Sequence, residues 1–211
     1  MFTQPHTKQI REEFLKQNKD KDHVILLGDD YPVILSAPHG VNQWREGRDK
    51  YCEPGTINTV LHLHKMCNCP AILKTKNNHD DANWDEVSSY KTALFKFIKD
   101  HKIKYVLDIH SLAASRPCDV NLGVWGGKLV ANNNELYRKL VQSLCDAGFN
   151  VYLDEPFNGG GRTISASVKK EFGDSVWAIQ IELNSKIIWH KRGFEKYKKL
   201  LDVLATFIVE L

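Results

Sequence analysis

Two histidines and a glutamate stand at the ends of three apolar runs. His39 closes PVILSAPHG, His110 closes YVLDIHS, and Glu182 falls near the end of VWAIQIELN. Imidazole nitrogens and carboxylate oxygens are zinc donors, and a carboxylate can also take a proton from water. Brought together, these side chains suit a metal-assisted hydrolase. A catalytic zinc needs about three protein ligands and an open position. His39 and His110 supply two. Glu53 is the favoured third, with Glu46 and Asp49 as alternatives in the same stretch. An acid opening a helix also stabilises the helix dipole without any metal, so Glu53 has an ordinary structural reading too. His62 and His64 fall on different faces of the following helical pattern and make poor joint ligands.

Asp108 precedes His110 by two, so in a strand both side chains point to one face. A carboxylate beside a ligating imidazole fixes its tautomer, which makes Asp108 the supporting partner of His110. Gln180 and Glu182 share a face by the same rule. A charge inside a buried strand is costly unless paired. Beside a metal site Glu182 can serve as general base, passing a proton from water to the leaving amine; elsewhere it would be a salt-bridged strand end. HDDANWD gathers Asp81, Asn83 and Asp85 but lacks the glycine and closing glutamate of a calcium loop. NGGGRT reads as a flexible loop carrying Arg162, and Arg45 lies in an earlier loop. Either guanidinium could hold a substrate carboxylate by two parallel bonds.

The apolar runs must position these groups. Short Val-, Ile- and Leu-rich runs read as buried strands, and ligands bind beyond the carboxyl ends of strands in open α/β sheets. The pattern predicts a polar helix or arm over 1–22, strands at DHVILL, at 32–37 and at AILKTK, and turn residues at Asp29-Asp30-Tyr31-Pro32. Residues 42–51 read as loop. A helix follows from Glu53, with Pro54 suited to its first turn. Helical spacing covers 86–101, then NNNELYRKLVQSLCDAG, TISASVKKEFG and GFEKYKKLLDVLATFIVEL, with strands at KYVLDIH, DVNLGVWGG, NVYLDE and VWAIQIELN between them. This alternation predicts a three-layer α/β/α fold around a mixed, largely parallel sheet. A single domain over 1–211 fits the length, at which roughly 70% of the chain's surface can be buried.

A net charge of +3 gives no concentrated basic stripe for nucleic acid, and the basic residues from Lys186 onward, Lys191, Arg192, Lys196 and Lys198 among them, read as a solvated helix face. Five irregularly spaced cysteines, with Cys67 and Cys69 in C-x-C, read as reduced thiols. MFTQPHTKQIREEF lacks the apolar core of a signal peptide, and no apolar stretch reaches membrane-spanning length. The expectation is a cytoplasmic protein with a small-molecule or short-peptide substrate and neither nucleic acid nor membrane as partner.

The ordered set SAPHG, an arginine and an acidic stretch before a helix, D-x-N, DIHS and late QIELN resembles the N-formylglutamate amidohydrolase family, over about residues 30 to 190. That family is related in fold to zinc carboxypeptidases and aspartoacylase-type deacylases. The resemblance implies one Zn2+ ion on His39, Glu53 and His110, with Glu182 serving the water, and hydrolysis of an amide of an N-acyl amino acid or similar small acidic substrate; Arg45 or Arg162, and Asn83, are the candidates to bind that substrate. Two departures stand out. The third residue after His39 is Asn42, where carboxypeptidase-type sites carry a glutamate, and the family's D-P-N-R loop is D-A-N-W at Asp81 to Trp84. A metallopeptidase on the same scaffold and a non-catalytic binding protein retaining the fold are the competing readings.

Overall fold

A computed structural model describes residues 5–29, 32–53, 55–189 and 193–211. The expected turn at Asp30 and Tyr31, the helix-opening position of Pro54, and the basic residues Lys191 and Arg192 lie outside the described residues. In chain order the elements are α1 (Pro5–Gln17), β1 (His23–Leu26), β2 (Val33–Ala37), β3 (Gln43–Arg45), β4 (Arg48–Lys50), α2 (Thr56–Cys67), β5 (Ala71–Lys74), α3 (Ser89–Asp100), β6 (Tyr105–Leu112) and β7 (Val120–Gly123). They continue with α4 (Asn134–Asp146), β8 (Val151–Leu153), α5 (Ile164–Phe172), β9 (Trp177–Asn184), α6 (Ser185–Ile188) and α7 (Phe194–Val209).

The apolar runs form a seven-stranded sheet in the order β1-β5-β2-β6-β9-β7-β8. β5, β2, β6 and β9 run parallel; β1 joins β5 and β7 joins β9 antiparallel, while β8 is parallel to β7. This is the predicted mixed, mostly parallel α/β architecture.

Side chains alternate across each strand, so the sheet has two different faces. Leu35, Leu107, Ile109, Ile179, Ile181 and Leu183 join the larger core, with residues of α2, α4 and α7. On the other face, Ile34, Val106 and Ala178 pack with Leu94 and Phe97 of α3 and Ile164 and Val168 of α5. Burying each such Leu, Ile or Val contributes about 1.5–3 kcal/mol before the entropy of ordering is counted. The same face turns polar toward the strand ends, where Ser36, Asp108, His110, Gln180 and Glu182 are all buried. The apolar half anchors α3 and α5; the polar half builds the site.

One expectation needs correction. Residues 42–51 are not irregular loop: β3 and β4 pair antiparallel, Gln43 with Lys50 and Arg45 with Arg48. Both strands are too short and too polar to show an alternating signal, and the pairing follows from the turn at Glu46 and Gly47, both with positive φ. The glycine-rich segment before α5 is hydrogen-bonded at both of its ends. Trp125 N donates to Asn158 O at 2.6 Å, Thr163 Oγ1 to Gly159 O at 2.5 Å, and Ile164 N to Asn83 Oδ1 at 2.7 Å. Gly159 serves close approach: a Cβ on it would lie 2.7 Å from the Gly123 carbonyl oxygen.

Candidate metal centre and active site

His39 lies in the turn just after β2, and its position is fixed from several sides. Arg11 of α1 donates to the carbonyl of Gly40 at 2.9 Å. Glu53 N donates to the His39 carbonyl at 3.0 Å, and Cys52 N to Asn42 Oδ1 at 3.0 Å. The β3–β4 hairpin is thereby closed on itself, and the chain returns with Glu53 beside His39. Asn42, which stands where the carboxypeptidase pattern has its glutamate, pins this return. Glu53 precedes α2 rather than lying in its first turn, and its carboxylate faces the two imidazoles.

Glu53 Oε1 is 2.5 Å from His39 Nδ1, and Glu53 Oε2 is 2.9 Å from His110 Nδ1. One donor atom from each of the three residues lies within 4.8 Å of the others. The far nitrogen of each ring is held by a buried carboxylate. His39 Nε2 is 2.8 Å from Asp81 Oδ1, and His110 Nε2 is 3.1 Å from Asp108 Oδ2. A carboxylate there takes the Nε2–H, so each Nδ1, once it releases the proton it shares with Glu53, turns a lone pair inward as a metal requires. Two such nitrogens around one carboxylate make a donor set that fits a divalent cation, and its mixed N/O composition with two imidazoles suits zinc. When bound, such an ion would polarise a substrate carbonyl and lower the pKa of water.

The supporting carboxylates are anchored in turn. Asp108 Oδ1 accepts from Ser36 Oγ at 2.8 Å, and Ser36 Oγ lies 2.9 Å from Tyr90 Oη. Asp81 is fully buried, and its Oδ2 accepts from Arg45 Nε and Nη2 at 2.8 and 2.6 Å. Buried Lys74 pairs with the preceding Asp80. Asp81 as the partner of His39 was not anticipated from sequence, although the D-x-N spacing marked its loop. Arg45 has its guanidinium on Asp81 and 4.9 Å above the Trp84 ring, so its first partner is the His39 support.

Burial works against the Glu53 charge, but His39 and His110 hold its carboxyl well below the usual carboxylate range. Burial likewise opposes the His110 charge, and Asp108 and Glu53 outweigh it, pushing the imidazole up. Glu182 has the opposite character. Burial pushes it up to about 8, helped by the Glu53 and Asp108 charges and opposed by His110. A carboxyl that readily holds a proton suits a group that must both take one and give it up.

His39, Glu53, His110 and Glu182 all border one cavity of about 600 Å³, together with Arg45, Asn83, Arg162 and Gln180. Asn83 accepts from Ile164 N and so ties the Asp81 loop to the start of α5. Arg162 is exposed at the cavity, while its carbonyl accepts from buried Lys91 Nζ at 2.7 Å. Lys50 Nζ lies 3.1 Å from both His39 Nδ1 and Glu53 Oε1, a cation against two of the three donors that sequence did not single out. Glu46 and Asp49, the alternative ligands, are exposed on the hairpin and outside the donor cluster. His62 and His64 lie elsewhere, against Tyr197 Oη and the Cys69 carbonyl. All five cysteines are free, and no helix among the described residues is long and apolar enough to cross a membrane.

Residues 88–189 match the sequence model of the N-formylglutamate amidohydrolase family. No curated protein matches the chain. Among solved structures the fold is similar to N-formylglutamate amidohydrolase from Ralstonia eutropha JMP134, with TM-score 0.59 and 12% identity over 90% of this chain and 96% of that one. It is similar to a bacteriophage poly-gamma-glutamate hydrolase, with TM-score 0.57 and 14% identity over 92% and 91% of the two chains. A metallo-carboxypeptidase from Pseudomonas aeruginosa has TM-score 0.54 and 14% identity over 95% of this chain and 68% of that one. At these identities the structural likeness speaks for the fold. The family match spans β6 with His110 and β9 with Glu182, and with the fold it marks the chain as a hydrolytic enzyme.

Proposed function

We propose that this protein is a zinc-dependent amidohydrolase acting on an N-acyl amino acid or a similar small acidic amide. The observation that carries the reading is the pair of imidazoles turned inward by Asp81 and Asp108 onto the Glu53 carboxylate. His39, Glu53 and His110 would hold the ion. Glu182 takes a proton from the attacking water as its oxygen bonds to the carbonyl carbon. The C–N bond then breaks, and Glu182 gives that proton to the leaving nitrogen, so the products are a carboxylic acid and an amine. Asn83 fixes the wall of the cavity. Arg162 is favoured over Arg45 for the substrate carboxylate, because the Arg45 guanidinium is already engaged by Asp81. The site and a cytoplasmic setting fit a small substrate with neither nucleic acid nor membrane as partner.

The test compares kcat/KM for an N-acyl glutamate and its carboxamide analogue in wild type and Arg162→Ala. Wild type should prefer the free acid, and the variant should lose roughly 10- to 150-fold on the acid alone. Equal rates on both substrates in wild type would remove the carboxylate clamp. The second reading, a metallopeptidase, would then gain. It is favoured by Trp84 and Phe157, which border the cavity yet remain 39% and 42% exposed, an apolar rim suited to a longer peptide.

A further inference from the structure

Lys91 is a buried cation that pairs with no acid. It stands in the first turn of α3 and is only 2% exposed. Among the described residues its ammonium forms no ion pair; Nζ donates to two carbonyls, Asp85 O at 2.5 Å and Arg162 O at 2.7 Å. The Asp85 carboxylate is turned the other way and accepts from Asp81 N at 2.7 Å. Burial pulls the ammonium down to about 8, against the charges of Asp85, Asp108, Asp81 and Glu86. An apolar side chain at this position would escape that desolvation. What the ammonium does there is written in its two partners: it joins two loops on the border of one cavity.

The two loops are not alike. The Asp81–Asp85 stretch is a closed turn: Trp84 N and Asp85 N both donate to Asp81 O, at 2.9 and 2.7 Å, and Asn83 N donates to Asp81 Oδ1 at 2.9 Å. Asp81 also holds His39, so this turn is tied to the candidate metal donors. The other loop reaches Arg162 through Gly159, Gly160 and Gly161, and glycine restrains a backbone least. Asn83 Oδ1 fixes Ile164 N, two residues beyond Arg162. At Arg162 itself the carbonyl has only one other side-chain donor, the exposed Ser167 Oγ at 3.3 Å. Lys91 is therefore the buried link between the Arg162 backbone and the turn that supports His39. We propose that Lys91 is a positioning residue: it holds the Arg162 guanidinium at the distance from the metal donors at which it meets the substrate carboxylate. The inference rests on the carboxylate clamp of the amidohydrolase reading and names what sets its geometry.

The experiment measures kcat and KM for an N-acyl glutamate and its carboxamide analogue in wild type, Lys91→Met, Lys91→Gln and the double variant Lys91→Met, Arg162→Ala. Lys91→Met keeps the length and removes the donors. It should lose roughly tenfold or more in kcat/KM on the free acid, chiefly through KM, with the carboxamide rate and the zinc content of wild type. Arg162→Ala should then cost less in the Lys91→Met background than in wild type, because both changes act on one contact. Lys91→Gln is too short to span both carbonyls and should show the same loss, which preserves the test if the methionine variant fails to fold. A lysine variant that keeps the wild-type preference for the acid, or loses rate equally on both substrates, overturns this inference and leaves the clamp standing. Wild type hydrolysing both substrates equally overturns the clamp and this inference with it. An enzyme inert on both overturns the amidohydrolase reading itself.

Discussion

His110 and Glu182 are register partners on adjacent parallel strands, and Asp108 and Gln180 are partners two residues earlier. The candidate metal ligand His110 and the proposed base therefore stand side by side through backbone pairing alone, each with its supporting group one pleat behind it on the same face. Sites carried on paired strands are held more rigidly than sites on loops. Glu182→Gln keeps the shape of the side chain and removes the base. Turnover should fall roughly 100-fold or more, with metal content unchanged. Near-normal turnover in that variant would return Glu182 to a structural role.

Asp81 holds the far nitrogen of His39. Asp81→Asn keeps the volume but withdraws the charge that holds the His39 N–H and faces Arg45. Metal affinity, measured by competition with a chelator, should weaken about 10- to 100-fold. Unchanged affinity would mean that the orientation of His39 is set by packing alone.

Lys50 makes a prediction in the opposite direction. Its ammonium touches two of the three metal donors, so a divalent cation must displace it. Lys50→Met should tighten metal binding by about tenfold, equal to about 1.4 kcal/mol, in the same chelator titration. Weaker binding would show instead that Lys50 supports the loaded site.

Much of this site was legible because its residues end apolar runs. PVILSAPHG, YVLDIHS and VWAIQIELN announce β2, β6 and β9, and period-two spacing placed Asp108 with His110 and Gln180 with Glu182. The β3–β4 hairpin was not legible. QWR and RDK are three residues each and polar, and only their pairing makes them strands. Lys50 escaped notice for the same reason, since nothing local says that the hairpin folds its last residue onto His39. The Asp81–His39 contact joins residues 42 apart, a separation that no local pattern encodes. The glycines of NGGGRT signal an unusual backbone, but no local pattern shows that Gly159 packs against Gly123.

A stability prediction lies away from the site. His62 sits against Tyr197 Oη at 2.8 Å, and burial, helped by the Lys65 charge, lowers its pKa to about 4. A histidine whose folded pKa is depressed favours the neutral form in the native state. The stability tied to that preference is full above about pH 6.5 and is lost as pH falls toward 4. Between pH 7 and pH 4.5 wild type should lose about 2–3 kcal/mol more than His62→Gln in urea unfolding. Equal losses would mean that His62 titrates normally in the fold.

Zinc held by His39, Glu53 and His110 underlies the whole proposed chemistry. Elemental analysis of the purified protein, beside a His39→Ala, His110→Ala double variant, addresses it most directly. Wild type should carry one zinc per chain and the double variant none, with both proteins folded. Stoichiometric zinc retained by the double variant would contradict it.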